Sequence, residues 1–314
     1  EVKRLNKQLE WLKKFSETCG VSGDEGRIKK LMLERMKGLA EVSYDKLGSV
    51  VFTNACKDKN APTIMMASHM DEIGFMVKHI TKEGFLRFVC LGGWWEQVML
   101  SQRVTVHGTK GDLVGVIGSK PPHILTPEER NKVVQKRDMY IDIGAKDEKE
   151  ARELGVKEGT FVTPYAQMAL MGDGKTLLGK AWDNRIGCAV MADVMENLAK
   201  EPGKNTVYGV ATVQEEVGLR GAQTSVNMLK PDVAFVVDPD VDRLAIIMEN
   251  GEFFVEEYTL VSIADYILSQ TPGPAVSNLS SSRALRDVAA KHGCRYEASA
   301  VGEVNATTLM REIG

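Results

Sequence analysis

The chain has no apolar run approaching the roughly 18 residues of a membrane-spanning helix, so no membrane partner is expected. It has no basic surplus either. Forty Lys and Arg stand against 43 Asp and Glu, a net charge of −3. Without a positive field, nucleic acid is not an expected partner. Cys-x-x-Cys spacing is missing. Five cysteines (Cys19, Cys56, Cys90, Cys188, Cys294) are scattered and odd in number. That pattern fits reduced thiols in a cytoplasm and argues against a thiolate metal site. Internal repeats and low-complexity tracts are lacking. No n-region, h-region and cleavage site open the chain. It begins at Glu1 rather than Met, so a few preceding residues are expected. The 314 residues suffice for two or more compact domains. Composition alone reaches a soluble α/β protein and no further.

What is there begins with Thr63-Ile-Met-Met-Ala-Ser-His69, an apolar run that ends in His69, Met70 and Asp71. Buried parallel strands read as continuous hydrophobic runs, and ligands gather at their carboxyl ends. His69 is therefore expected in a crevice, with Asp71 able to reach its other ring nitrogen. Such a partner fixes the tautomer of a metal-bound histidine. A core histidine beside a turn aspartate is the plainer reading of the pair.

Helical spacing is present over residues 5–18, broken by Cys19-Gly-Val-Ser-Gly23, with Asp24 placed to cap a helix reaching about Lys37. Strands are expected near 41–44 and 49–54. Between about residues 74 and 165, short strands recur with glycine turns at 85–89, 103–107, 113–117, 140–143 and 160–163. Such spacing indicates a small β module inserted into the α/β chain. His123, in the proline-stiffened loop after Ser119, reads as a surface histidine or a weak ligand candidate. Helix–strand alternation then resumes, with a helix at 186–200, a strand at 207–213, a helix at 220–229 and a strand at 233–237.

His69, Asp183, the pair Glu215-Glu216 and Asp238 thus all follow apolar runs or mark strand–helix junctions. Imidazole with carboxylates is a ligand set for Zn²⁺, Co²⁺ or Mn²⁺. A dinuclear site needs a bridging carboxylate and a free carboxylate to take a proton from water. Adjacent glutamates suit that division, one binding metal and one acting as base. Taken singly, paired glutamates are common on solvated faces, and Asp183 could equally cap the helix after it.

Together, Gly20-Val-Ser-Gly23, Ser68-His-Met-Asp-Glu-Ile-Gly74, Gly118-Ser-Lys-Pro-Pro-His123, Lys180-Ala-Trp-Asp-Asn-Arg185 and Gln214-Glu-Glu-Val-Gly-Leu-Arg-Gly-Ala222 resemble the TET-type, glutamyl-aminopeptidase-like dinuclear metallo-aminopeptidases over about residues 5–238. The resemblance implies an α/β fold. Its central, mostly parallel sheet has helices on both faces and is interrupted by a small inserted β domain. The implied division is 1–73 and 166–237 for the catalytic domain and 74–165 for a dimerisation-type insertion. It implies two divalent ions, Zn or Co, with His69, Glu216 and Asp238 as ligands and Asp183 bridging. Glu215 is then the general base and Asp71 orients His69. Peptide is the implied substrate and a homo-oligomer the implied assembly.

One expected element is missing. The family carries a further histidine ligand well downstream of Asp238. Here only His292 follows His123, in a helix-end context where its charge would favour the C-terminal dipole. Instead, Asp238-Pro-Asp-Val-Asp-Arg-Leu244, Asn250-Gly-Glu252, Gly273-Pro-Ala-Val-Ser-Asn-Leu279, Lys291-His-Gly293 and Val301-Gly-Glu-Val-Asn305 resemble the phosphohexomutases over about residues 236–314. That likeness implies Mg²⁺ at Asp238, Asp240 and Asp242, with Arg243 on a phosphate or sugar oxygen. The phosphoserine loop is absent. The chain therefore reads as a chimera in which a mutase-like segment, 238–314, completes the peptidase sheet. The alternatives are a chimeric scaffold without activity, or a Mg-dependent phosphosugar-binding protein.

Overall fold

The computed structural model of the chain describes residues 2–172, 174–237, 244–247, 256–279, 281–301 and 303–313. The chain divides into two compact units, Glu1–Pro231 and Asp232–Gly314.

The first unit opens with α1 (Val2–Glu17) and α2 (Gly26–Arg35). Strands β1 (Glu41–Tyr44), β2 (Val50–Asn54) and β3 (Thr63–His69) follow. Next come β4 (Gly74–Ile80), β5 (Leu86–Leu91), β6 (Arg103–Gly108), β7 (Gly111–Gly118), α3 (Pro127–Arg130), β8 (Tyr140–Asp142), α4 (Glu148–Glu153) and β9 (Phe161–Pro164). The unit ends with β10 (Ala169–Met171), β11 (Thr176–Leu178), α5 (Trp182–Lys200), β12 (Thr206–Thr212) and α6 (Arg220–Leu229).

Two layers of chemistry separate here. Strands β1, β2, β12 and β3 lie side by side in one mixed sheet, where β12 is parallel to β3 and antiparallel to β2. The apolar run Val50-Val-Phe52 is wholly buried there. Phe15 of α1, Ile28 and Met32 of α2, and Met191 and Met195 of α5 join one core with Val50, Phe52 and Ala211. Burying each such side chain contributes about 1.5–3 kcal/mol. Gly209 of β12 admits α5 to this sheet: a Cβ there would stand 3.0 Å from the side chains of Met191 and Met195.

Strands β4, β5, β8, β7, β6 and β9 close a six-stranded barrel. Its inward-facing residues, Phe75, Val77, Leu86, Val104, Val106, Ile117, Ile141 and Val162, form a second core. The alternation of buried and exposed positions on β6 and β7 is that of a strand with one wet face. Gly74 marks the passage from sheet to barrel, because a Cβ there would meet the Val162 carbonyl at 2.5 Å.

Three local expectations need correction. Asp24 does not cap α2; Glu25 stands at that position and makes no side-chain cap bond. Its carboxylate is drawn instead to two backbone amides described below. The helix expected from Ile186 begins at Trp182, although Asp183 and Asn184 inside its first turn are not helical in backbone. The β10–β11 hairpin was not expected, since three-residue strands carry too few positions to show alternation.

In the second unit, β13 (Val233–Val237) pairs antiparallel with β14 (Leu244–Ile247). Helix α7 (Glu256–Gln270), β15 (Ala275–Asn278), α8 (Ala284–Lys291), β16 (Tyr296–Ser299) and α9 (Glu303–Ile313) follow. Strands β15 and β16 are parallel, joined through α8, which is the strand–helix–strand rhythm read from the sequence.

Asp45 locks the β1–β2 turn. Its carboxylate accepts from the amides of Leu47, Gly48 and Ser49 at 2.7–2.9 Å and from the hydroxyls of Thr224 and Ser225 on α6. Burial alone would push this carboxyl up, but those hydrogen bonds outweigh it and hold it below the ordinary value. The stabilisation is therefore present above the usual carboxylate pKa of about 3.9 and is lost as pH falls through the lower folded value. Asp45→Ala is expected to cost roughly 1.5–3 kcal/mol at neutral pH in urea melts. The gap from the unsubstituted chain should narrow below about pH 4. A gap that widens on acidification contradicts this assignment.

Candidate metal centre

The parallel register builds the site. Thr212 of β12 pairs with His69 of β3, and the ladder runs one step on as the Met70 amide donates to the Thr212 carbonyl at 2.8 Å. Both strands thus end at the same edge, and the residues just beyond them, Asp71 and Glu215, emerge side by side.

The Asp71 carboxylate is fully buried and accepts from the Glu215 amide at 3.0 Å, the Glu216 amide at 3.2 Å and the Ser22 hydroxyl. It holds the second loop onto the first. Its role toward His69 differs from the expectation. Nδ1 of His69 donates to the Asp71 backbone carbonyl at 3.0 Å, while the nearer carboxylate oxygen is 3.6 Å away. The tautomer is fixed by the main chain because the carboxylate is committed to three other donors.

That leaves Nε2 facing the crevice. It lies 2.8 Å from Asp183 Oδ1 and 3.6 Å from Glu215 Oε2. One ligand atom each from His69, Glu215 and Glu216 falls within 4.8 Å of the others. His123, by contrast, is exposed in a short helical turn of the barrel loop. Asp238, Asp240, Asp242 and Arg243 lie outside the described residues. His292 caps the end of α8 in the second unit, with Nε2 2.5 Å from Asp265.

The electrostatics are those of a site short of positive charge. Burial would lower His69, but the hydrogen bond to Asp183 and the nearby charges of Asp71 and Glu215 raise it to about 10. Burial pushes the Glu215 carboxyl up, and the anions of Asp71 and Asp183 add to that. Glu216 rises to about 7 for the same reason, with Asp183, Glu215 and Asp71 all repelling its charge. A cation among these oxygens removes that repulsion, and one imidazole with several carboxylates suits a borderline divalent ion. The residues present therefore fit a metal site.

Two non-glycine residues are held at positive φ next to the donors: Ala181 at 56°, ahead of Asp183, and Gln214 at 54°, directly before Glu215. Such backbone costs of order 1–3 kcal/mol and persists only where surroundings enforce it. The enforcers were invisible in the sequence. The buried Glu25 accepts from the amides of Gly23 at 2.9 Å and Gln214 at 3.1 Å. Glu72, also buried, takes the Lys180 ammonium at 2.8 and 2.9 Å and the Gly20 amide at 3.1 Å. Arg185 has no exposed surface and donates to the carbonyls of Phe15, Thr18 and Gly20. Lys180 and Arg185 thus grip the segment that carries Asp183 from both sides. They stand in a motif noted in the sequence, but a charged pair gives no sign of burial until its partner is known.

An α/β sheet with an inserted barrel, and an imidazole–carboxylate cluster at the carboxyl ends of parallel strands, defines the class: a metal-site α/β protein. The family model for M42 glutamyl aminopeptidase matches residues 48–309. The chain belongs to that family of metal-dependent aminopeptidases. It is 38% identical over 234 residues to a glutamyl aminopeptidase of Lactococcus lactis, covering 72% of this chain and 65% of that one. It is similar to the crystal structure of a TET aminopeptidase from a marine sediment thaumarchaeon, with a TM-score of 0.72 and 48% identity over 75% of this chain and 66% of that one. It is also similar to the Pyrococcus horikoshii TET1 peptidase, described as assembling into a tetrahedron or a large octahedral shell, with a TM-score of 0.68 and 35% identity over 74% of this chain and 68% of that one. The chain spans about two thirds of the length of these relatives. Separately, it is 34% identical over 124 residues to a phosphoglucosamine mutase of Campylobacter hominis, 37% of this chain and 26% of that protein.

Removing the clasp tests the geometry. Asp71→Ala is expected to weaken divalent metal binding by about 10–100-fold, as losing a partner that orients ligands does. Calorimetric titration with Zn²⁺ measures it, and unchanged affinity would show that the Glu215–Glu216 loop needs no such tether.

Proposed function

We propose that this chain is a metallo-aminopeptidase that hydrolyses the N-terminal residue from peptides. His69, Asp183, Glu216 and Asp238 are the residues that would hold two divalent ions, Zn²⁺ or Co²⁺. The observation that carries the reading is the approach of His69, Glu215 and Glu216 to within 4.8 Å at one strand edge. When bound, the ions supply an acidified water and polarise the scissile carbonyl.

Glu215 serves as the base. Burial raises its carboxyl, and its place in the same pocket as His69 and Glu216 lets it take a proton from the attacking water and return it to the departing amine. Asp71 positions it through the Glu215 amide. His69 spends Nδ1–H on the Asp71 carbonyl, so the crevice-facing Nε2, here 2.8 Å from Asp183 Oδ1, is the nitrogen that would hold metal.

Three further features belong to the same reading. The assembly is a homo-oligomer, favoured by the shells reported for the Pyrococcus relative. The compartment is the cytoplasm, favoured by five cysteines without a disulfide. No helix among the described residues is long and apolar enough to cross a membrane. The chain is also a chimera whose final segment derives from a phosphohexomutase, with Mg²⁺ as the candidate ion at Asp238, Asp240 and Asp242. The mutase similarity favours that origin.

Hydrolysis of aminoacyl-anilides with added Co²⁺ or Zn²⁺ tests the function. Glu215→Gln is expected to lower turnover by about 10²–10⁴-fold, the usual worth of a general base, while metal content holds. Full turnover in that variant removes Glu215 from the role.

A further inference from the structure

A loop of the barrel passes directly beside Glu216 and has so far been given no role. It leads from the end of β5 at Leu91 into a short 3₁₀ turn, Glu96–Val98. Its approach is close. A Cβ on Gly92, whose φ is +82°, would stand 3.1 Å from Glu216 Oε2 and 2.5 Å from Ile73 Cγ2. Glycine lets the backbone take this conformation and come this near the carboxylate.

Two anchors hold the loop. Trp94 stacks on Phe75 with ring centroids 4.5 Å apart and donates from Nε1 to the Gly74 carbonyl at 3.1 Å. Met99 is buried in the barrel core. The side chains between these anchors are presented rather than packed: Trp95 is 61% exposed and Val98 47%. The Val98 amide donates to the Trp95 carbonyl at 3.2 Å, which closes the turn between them. Trp95 lies three residues from Gly92, a span of at most about 11 Å of chain. By contrast, Trp11 and Trp94 pack against the two cores.

We propose that Trp95, with Val98 across the turn, is a specificity-determining surface that receives an aromatic or large apolar side chain from the peptide's N-terminal residue. The assignment rests on the aminopeptidase reading above. Ligand sites combine a mostly apolar lining with a few placed polar groups. Here His69, Asp183, Glu215 and Glu216 supply the polar groups, and the loop beside Glu216 supplies an apolar wall. An indole on a loop pinned at both ends offers a large contact area that needs little ordering on binding. Charge points the same way. Glu96 is the one charged residue of the stretch 92–98, and its carboxylate lies 3.9 Å from the Lys136 ammonium. That pairing leaves the loop without a charge to select an acidic or basic side chain.

The probes are the hydroxamates of phenylalanine and alanine, which chelate divalent metal through two oxygens and differ only in the side chain offered to the wall. Each is titrated calorimetrically into the whole chain loaded with Zn²⁺, so the readout needs no turnover. The phenylalanine compound is expected to bind about tenfold more tightly than the alanine compound. Trp95→Ala should remove most of that ratio, and Trp95→Phe should retain it. Binding of the phenylalanine compound should also shift the indole emission to the blue, and Trp95→Phe should lack that shift. Equal affinity of the two compounds for the unsubstituted chain overturns the proposal whether or not any variant folds. So does a ratio unchanged in Trp95→Ala, or an emission shift that persists in Trp95→Phe. Failure of both compounds to bind the loaded chain overturns the metal-site reading and this proposal with it, whereas equal binding overturns this proposal alone.

Discussion

Two adjacent carboxylates, Asp71 and Glu72, organise the first unit. Both are buried, and burying charge is costly unless partners are arranged around it. Their neighbours are therefore forced into place. Asp71 collects the amides of Glu215 and Glu216. Glu72 collects Lys180, with Arg185 3.7 Å away. One carboxylate thus draws in the loop after β12, and the next draws in the loop before α5. Since β3 ends at His69 just ahead of both, three remote stretches of chain arrive at one edge. A buried ion pair contributes uncertainly to net stability, but it permits few alternative arrangements. Its value here lies in position.

That arrangement explains why much of the site could be read from the sequence. A continuous apolar run ending in a polar residue marks a buried strand and its exit, and three such exits carried the residues His69, Glu215, Glu216 and Asp238. The first three approach one another, and Asp183 joins at 2.8 Å from His69. The barrel strands were readable because each has one wet face and a glycine turn. What stayed hidden was the supporting layer. Glu25, Ser22, Glu72, Lys180 and Arg185 are polar residues in ordinary-looking loops, and their importance depends on burial, which no local pattern encodes. Asp24 was preferred as a helix cap for its residue type, whereas the neighbouring Glu25 was recruited by the Gln214 amide across the fold. The Asp71 carboxylate was expected on the imidazole. Three competing donors took it, and the carbonyl served instead.

The M42 family model extends from residue 48 to 309, and the chain is also 34% identical over 124 residues to a phosphoglucosamine mutase. The second unit keeps its own parallel β15–α8–β16 piece, with Lys291 and His292 satisfied by Asp265 of α7. His292 is thus spoken for by a neighbour on the adjacent helix, which gives it a structural reason to be present that owes nothing to metal.

The central claim is that His69, Asp183 and Glu216 hold divalent ions at the edge of β3 and β12. Anomalous diffraction from crystals of the Co²⁺-loaded protein measures this directly. The account predicts cobalt peaks coordinated by His69 Nε2 and by carboxylate oxygens of Asp183 and Glu216, with Glu215 facing the same pocket. Cobalt located elsewhere, with His69 Nε2 still bonded to Asp183, would contradict it.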